Sequence, residues 1–333
     1  MTKAQAKKKY KNWTPKSFDE KCKQITDGIV KGISTSGKWI RYWTDAEVGG
    51  LPSNYSTKKE YHGLNVMSCL GRMYAKGYKH NKWVTPLGAK SLGGHIKKGE
   101  SGLVLSYYEI KLYDEDGNKI PKGNPDKIEV ASRRPFFNTF FVFNIEQCEG
   151  IEMPKVVKKK KRTFKPLKEL EAMVEKYQLK YPTLTIEEEK ESSEAYYVPS
   201  RDHIVLPTMQ QFVEKAEELK MTTLEGKHNH GRVKLHEIGH SAKKRMLKKD
   251  ETMLPDSFFR NHKEDYAYEE LCAELFSVFM GMKLGITYGS NLSNSENYLK
   301  GWCSALKSNP TWIVKASSEA MRRVRLFEGC ANA

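Results

Sequence analysis

His236-Glu237-Ile238-Gly239-His240 constrains this chain more than any other stretch. Two imidazoles four residues apart lie on one face when the backbone between them is helical, and from that face both reach a single ion. Val233, Leu235, Ile238 and Ala242 give such a helix an apolar side, while Gly239 lowers its propensity and points to a closely packed neighbour. Glu237 stands beside the pair, where a carboxylate can take a proton from an activated water and return it to a leaving amine.

Two imidazoles leave a tetrahedral ion short of protein ligands, so a third is expected elsewhere. Between Asp265 and Ile286, the positions of Tyr266, Leu271, Ala273, Leu275, Val278 and Met282 predict a buried helix from which Glu270 and Glu274 protrude one turn apart. Glu270-Leu271-Cys272-Ala273-Glu274 resembles the glutamate-zincin arrangement, in which the first acid binds zinc and the acid four residues later orients a ligand histidine. That resemblance implies Zn2+ held by His236, His240 and Glu270, with Glu274 fixing the tautomer of a histidine. Glu269 competes with Glu270, because a half-turn error in helix phase exchanges them. His228 and His230, in glycine-rich polar surroundings, are expected in an approach loop before the helix. Cys272 reads as a small core residue.

Charge is distributed unevenly over the 333 residues, whose formal net charge is +16. Residues 1–152 carry 26 lysines and arginines against 16 acids, residues 153–165 add seven bases and no acid, and the remainder is close to neutral. A basic first half joined by a basic linker to a neutral second half points to a polyanion partner, although a basic surface also serves solubility alone. Six scattered cysteines and the lack of a signal-like apolar run fit a reduced, cytoplasmic setting. No stretch has the apolar length of a membrane span. Zinc-finger spacing and an ATP-type phosphate loop are both missing from the sequence.

The lysine-rich opening Met1–Lys11 has little to bury, and Phe18–Ile33 has helical spacing. Leu64–Tyr74 and Pro86–Leu92 are predicted helices, the latter stopped by Gly93-Gly94, and Leu103–Leu112 and Phe136–Ile145 are predicted strands. Helices are expected over Leu167–Tyr177 and Thr208–Leu219, with short strands at Ala195–Val198 and His203–Leu206 joined by a turn at Pro199–Asp202. The expected class is α+β: a small first domain over residues 1–153 with a partly antiparallel sheet, a basic linker over 154–165, and a mainly helical domain over 166–333.

The first domain interleaves Lys58, Lys59, Tyr61, His62, Asn65, Trp83, Lys90, Lys97 and Lys98, and the linker supplies Lys158, Lys159, Lys160, Lys161 and Arg162. Lysines can follow phosphates while bases stack on Tyr61 or Trp83, a mode suited to single-stranded DNA and less so to double-stranded DNA. Asn65 fits a local cap or backbone bridge better than a base contact, and Trp83 fits a core position as well.

Taken together, the chain resembles the ArdC-type antirestriction proteins of plasmids and phages, whose relatives include TraC primase-like proteins. The first domain carries the resemblance in Leu51-Pro52-Ser53-Asn54, Tyr61-His62-Gly63-Leu64-Asn65-Val66, Trp83-Val84-Thr85, Leu92-Gly93-Gly94, Lys98-Gly99-Glu100 and Phe143-Asn144-Ile145-Glu146-Gln147. The second carries it in Tyr197-Val198-Pro199-Ser200, Asp202-His203-Ile204, Leu206-Pro207, the His236–His240 helix and Tyr266–Leu275, with Tyr298 and Trp302 in a closing segment. It implies a single-stranded-DNA-binding domain followed by a zincin-like metallopeptidase domain, and protection of incoming DNA from restriction. Lys59-Glu60-Tyr61-His62-Gly63 departs from the family's Arg-Pro-Tyr-Arg-Gly pattern and loses two guanidinium forks, and Ser241 stands where many relatives carry an aromatic residue. Two alternatives follow from the same residues: a zinc endopeptidase whose substrate is a DNA-associated host protein, or a DNA shield with structural zinc and no catalysis.

Overall fold

The computed structural model describes residues 50–121, 127–154, 164–190, 192–246, 262–286 and 311–331, with residues 20, 23, 26, 27 and 309. In chain order its elements are β1 (Ser53–Asn54), α1 (Leu64–Lys76), β2 (Lys82–Val84), α2 (Pro86–Ser91), β3 (His95–Ile96), β4 (Leu103–Tyr113) and β5 (Ser132–Asn144). After a 3-10 turn at Ile145–Gln147 come β6 (Cys148–Glu149), α3 (Lys165–Lys180), β7 (Thr185–Glu189), β8 (Tyr196–Val198), β9 (His203–Pro207), α4 (Met209–Glu218), α5 (Thr223–Met246), α6 (His262–Leu284) and α7 (Trp312–Ala331). The class is α+β. The lysine-rich start, Trp39, Trp43, Lys158–Arg162, Tyr298 and Trp302 lie outside the described residues, as does nearly all of the helix expected over Phe18–Ile33.

The first half is built on the long antiparallel ladder of β4 and β5, which runs from Leu103↔Val142 to Tyr113↔Ser132. Strand β5 starts four residues before the apolar run that predicts it, because Ser132-Arg133-Arg134-Pro135 continues the pairing. A proline is tolerated there because β2, on the other side of β5, pairs only with Phe143 and Asn144, so the outer edge beside Pro135 needs no amide donor. The sheet order is β1-β2-β5-β4, with β1 and β2 parallel and the rest antiparallel. Helix α1 buries Val66, Met67, Cys69, Leu70 and Met73 at steps of one, three and four. Thr85 caps α2 by accepting from the Gly88 amide, and Gly93 leaves that helix with a left-handed φ of +81°.

In the second half α3 buries Leu167, Leu170, Val174 and Tyr177, the three-and-four spacing of a helix with one apolar face. A small sheet, ordered β7-β9-β8, leads into α4, whose start carries a capping box between Thr208 and Gln211. Helices α5, α6 and α7 then pack together. Gly239 is the reason that α5 and α6 approach so closely: a Cβ there would stand 3.0 Å from Phe276 Cδ1 and 3.1 Å from Ala273 Cα.

The two halves share buried apolar material. Leu64, Val66, Leu70 and Trp83 belong to the same continuous core as Ile313, Ala316, Ala320 and Val324 of α7. Among the described residues, no helix is long and apolar enough to cross a membrane.

Candidate metal centre

Helix α5 begins at Thr223, thirteen residues before His236, because Thr222 and Glu225 form a reciprocal cap. Thr222 Oγ1 accepts from the Glu225 amide at 3.2 Å, and Glu225 Oε2 accepts from the Thr222 amide at 2.8 Å. This corrects the approach loop expected around His228 and His230: both are fully buried inside α5. The glycines that suggested a loop are close-approach positions, since a Cβ on Gly226 would fall 2.6 Å from the Phe212 carbonyl and one on Gly231 would fall 3.0 Å from Leu167.

His236 and His240 point their Nε2 atoms at each other across 3.1 Å. Glu270 comes in from α6 and places one carboxylate oxygen 3.3 Å from His236 Nε2 and the other 3.4 Å from His240 Nε2. Ligands about 2.0–2.1 Å from a tetrahedral ion stand roughly 3.3 Å from one another, and each of these separations, the two to Glu270 taken at different oxygens, is close to that length. The protonation pattern fits as well. His236 Nδ1 lies 3.1 Å from Glu274 Oε2, and His240 Nδ1 lies 3.1 Å from Glu269 Oε1. A carboxylate only accepts, so both Nδ1 atoms carry a hydrogen, and in the neutral imidazole each Nε2 then turns its lone pair to the space shared with Glu270. Three acceptors converging on one point are a seat for a cation. Among the described residues, His236, His240 and Glu270 are the one cluster of histidines, cysteines and acids with this convergence.

The acids around the site also favour a proton on His236, one that a cation at Nε2 would displace: burial opposes charge there, but Glu270 and Glu274 outweigh it and lift the imidazole to about 10. Burial opposes charge on Glu270 too, and the two histidines nevertheless hold it well below the usual carboxylate range. Glu237, buried on the same helix, is shifted the other way: desolvation pushes it above the ordinary carboxyl value, His236 and His240 pull it back, and Glu270 adds to the rise. A carboxylate with raised proton affinity is suited to taking and returning a proton.

Glu269 and Glu270 have separate positions: the competing acid turns to His240 Nδ1 and stays out of the donor set. Four residues that complete the surroundings were not anticipated. Arg232, buried on α5, stands 3.6 Å from Glu274. Arg323 comes from α7 and engages Glu269, which also receives Lys243 at 3.2 Å, and Glu319 on the same helix accepts from Arg323. The readable signal for Arg323 was a charged residue on the apolar stripe formed by Ala316, Ala320 and Phe327.

Those of the residues expected to face DNA that are described divide into three sets. Lys58, Lys59, His62, Lys90 and Lys98 are exposed, with Lys58 Nζ 3.9 Å over the Tyr55 ring. Lys97 is partly buried and donates to the Glu146 carbonyl at 3.0 Å. Trp83, Tyr61 and Asn65 are corrections. Trp83 has no exposed surface, packs edge-on to Tyr78 and donates its indole N–H to Asn81, so it offers no face to a base. Tyr61 is buried in the shared core. Asn65 spans α1 and β4, donating to the Ser106 carbonyl at 2.8 Å and accepting from the Ser106 amide at 2.9 Å. Stacking platforms must be exposed, and these positions are spent on packing and backbone pairing.

Comparison with known proteins gives the arrangement its family. Residues 19–143 match the family described as the N-terminal domain of anti-restriction factor ArdC, and residues 175–319 match that described as zincin-like metallopeptidase. The chain pairs an ArdC-type N-terminal domain with a zincin-like metallopeptidase domain. It is 24% identical to the antirestriction ArdC protein of the R388 plasmid, whose metal-free crystal structure superposes with a TM-score of 0.68 over 93% of this chain and 97% of that one. A second crystal structure of that protein, described as Mn(II)-bound, superposes with a TM-score of 0.64. At this identity the likeness carries the ArdC-type fold. Two Escherichia coli proteins named DNA primase TraC are 28% and 30% identical over 309 and 307 residues, and the chain spans only 26% and 19% of their lengths. The uncharacterized protein y4eC of Sinorhizobium fredii is 27% identical, with 93% of this chain and 92% of that one covered.

Proposed function

We propose that this ArdC-type chain is an antirestriction protein of a mobile element that holds single-stranded DNA on its first half and Zn2+ in a peptidase-like site on its second. Residues 1–153, 154–165 and 166–333 then divide into a DNA-binding domain, a basic linker and a metallopeptidase-like domain, and the setting is the cytoplasm. The observation that carries the reading is the convergence of His236 Nε2, His240 Nε2 and Glu270 on one point beside the buried carboxylate of Glu237.

His236, His240 and Glu270 would hold the ion, with Glu274 and Glu269 fixing the imidazoles through Nδ1. Bound there, a zinc ion supplies Lewis acidity to a water and to a scissile carbonyl. Glu237 takes the water's proton and returns it to the leaving amine; its desolvated position favours the protonated form that the second transfer needs. Three protein donors leave a tetrahedral ion one open position, which favours the catalytic reading over a closed structural site. On the alternative reading that puts peptidase activity first, a DNA-associated host protein is the substrate class.

On the first half, the exposed Lys58, Lys59, His62, Lys90 and Lys98 are the groups left to follow a phosphate backbone, with Lys158–Arg162 adding charge beyond them. The test is binding of the full chain to matched single- and double-stranded DNA across a salt series, with zinc content measured on the same sample. Tighter binding to single strands, weakening with salt, and about one zinc per chain are expected. Failure to bind either DNA overturns the DNA half of the reading, and failure to retain zinc overturns the other.

A further inference from the structure

Glu269 lies outside the three-donor set, yet it is heavily engaged. Its Oε1 accepts from His240 Nδ1 at 3.1 Å and from Arg323 Nη1 at 2.7 Å. Its Oε2 accepts from Arg323 Nη2 at 2.8 Å and has Lys243 Nζ 3.2 Å away. Arg323 is fully buried and reaches this point from α7; it also donates to the Gly239 carbonyl at 3.0 Å and to Glu319 Oε1 at 2.9 Å. The guanidinium is a rigid planar fork, so two parallel bonds fix both oxygens of Glu269 in space, which a point charge cannot do. The third bond, to the residue before His240, ties the same fork to the backbone that carries the ligand.

We propose that Arg323 is a positioning residue for the cation site: through Glu269 it fixes the ring plane and tautomer of His240, so that Nε2 presents its lone pair to the point shared with His236 and Glu270. This rests on the reading of those three donors as a cation site. His236 has a brace of its own, since Glu274 is backed by Arg232 at 3.6 Å from within α5. The two histidines are therefore held separately, and loss of the α7 clamp acts on one of them.

The test is titration of the full chain with Co2+, followed by its visible d–d absorption, for wild type, Arg323→Lys, Arg323→Met, Glu269→Gln and the Arg323→Met/Glu269→Gln double variant. Arg323→Met and Glu269→Gln are each expected to weaken Co2+ binding about ten- to a hundredfold and to alter the band shape. Arg323→Lys should fall between them and wild type, because one ammonium restores charge without the fork. The double variant should be no weaker than Glu269→Gln, since both changes act through one contact. Wild-type affinity in folded Arg323→Lys and Glu269→Gln overturns the proposal, as do losses that simply add in the double variant. Where Arg323→Met does not fold, those two conservative variants decide. A wild-type chain that binds no Co2+ overturns the underlying site reading, a result distinct from wild-type binding that is indifferent to residue 323.

Discussion

Gly63 turns left-handed, with φ +53°, directly against Ser317: a Cβ at Gly63 would stand 3.4 Å from the Ser317 carbonyl oxygen. Here the first half meets α7, and the backbone conformation is one that any residue with a side chain adopts at a cost of roughly 1–2 kcal/mol. Gly63→Ala is therefore expected to lower stability by about that amount, read as a lower urea midpoint with unchanged slope. A midpoint equal to wild type would mean that the turn relaxes freely.

Glu237→Gln keeps the size of the side chain and removes its ability to take a proton. Peptide cleavage by the zinc-loaded protein is expected to fall about 10²–10⁴-fold, with zinc content and single-stranded-DNA binding unchanged. Protection of DNA that persists in this variant would separate shielding from proteolysis and remove the endopeptidase-first reading. Loss of protection together with cleavage would support it.

Trp83 is a core residue, so its replacement should act on stability. Trp83→Ala is expected to cost about 3–5 kcal/mol, whereas Trp83→Phe, which keeps most of the packing, should bind single-stranded DNA as wild type does. Titration of both folded proteins with one oligonucleotide decides the matter. A specific loss of affinity in Trp83→Phe would return the indole to the DNA surface.

Asp202 and Arg245 form a buried bidentate pair, with both bonds at 2.9 Å. Burial raises the Asp202 carboxyl, but bonds from Thr183, Arg245 and Tyr197 outweigh it and leave it below its ordinary value of 3.8. A carboxyl depressed on folding adds stability that is complete above its unfolded value and is lost as pH falls through the folded one. Below about pH 4 wild type should lose stability more steeply than Asp202→Asn, as followed by chemical unfolding at each pH. Arg245→Met, which strands the buried carboxylate, is expected to cost about 3–5 kcal/mol near neutral pH.

The chemistry of the second half was largely legible because its spacing is local. His236, Glu237 and His240 lie within five residues, and Glu270 and Glu274 lie one turn apart on a helix whose apolar stripe is plain in the sequence. Arg323 was not legible in the same way: its partner Glu269 lies 54 residues away, and no local pattern ties them. The stretch from Thr222 to His230 misled because glycine signals a loop when its neighbours are unknown, whereas here Gly226 and Gly231 admit Phe212 and Leu167. In the first half, aromatic and amide residues near lysines suggested a base-binding surface. Composition could not reveal that Trp83 and Tyr61 face inward or that Asn65 pairs with Ser106.

The clamp from α7 has a consequence for the order in which the protein becomes competent. A growing chain that has already made both histidines and Glu270 still lacks Arg323, the group that locks Glu269 against His240. Until α7 is synthesised and docked, the donors exist without their full alignment. On that proposal, full alignment of the donors waits for the docking of α7, the last described element of the chain.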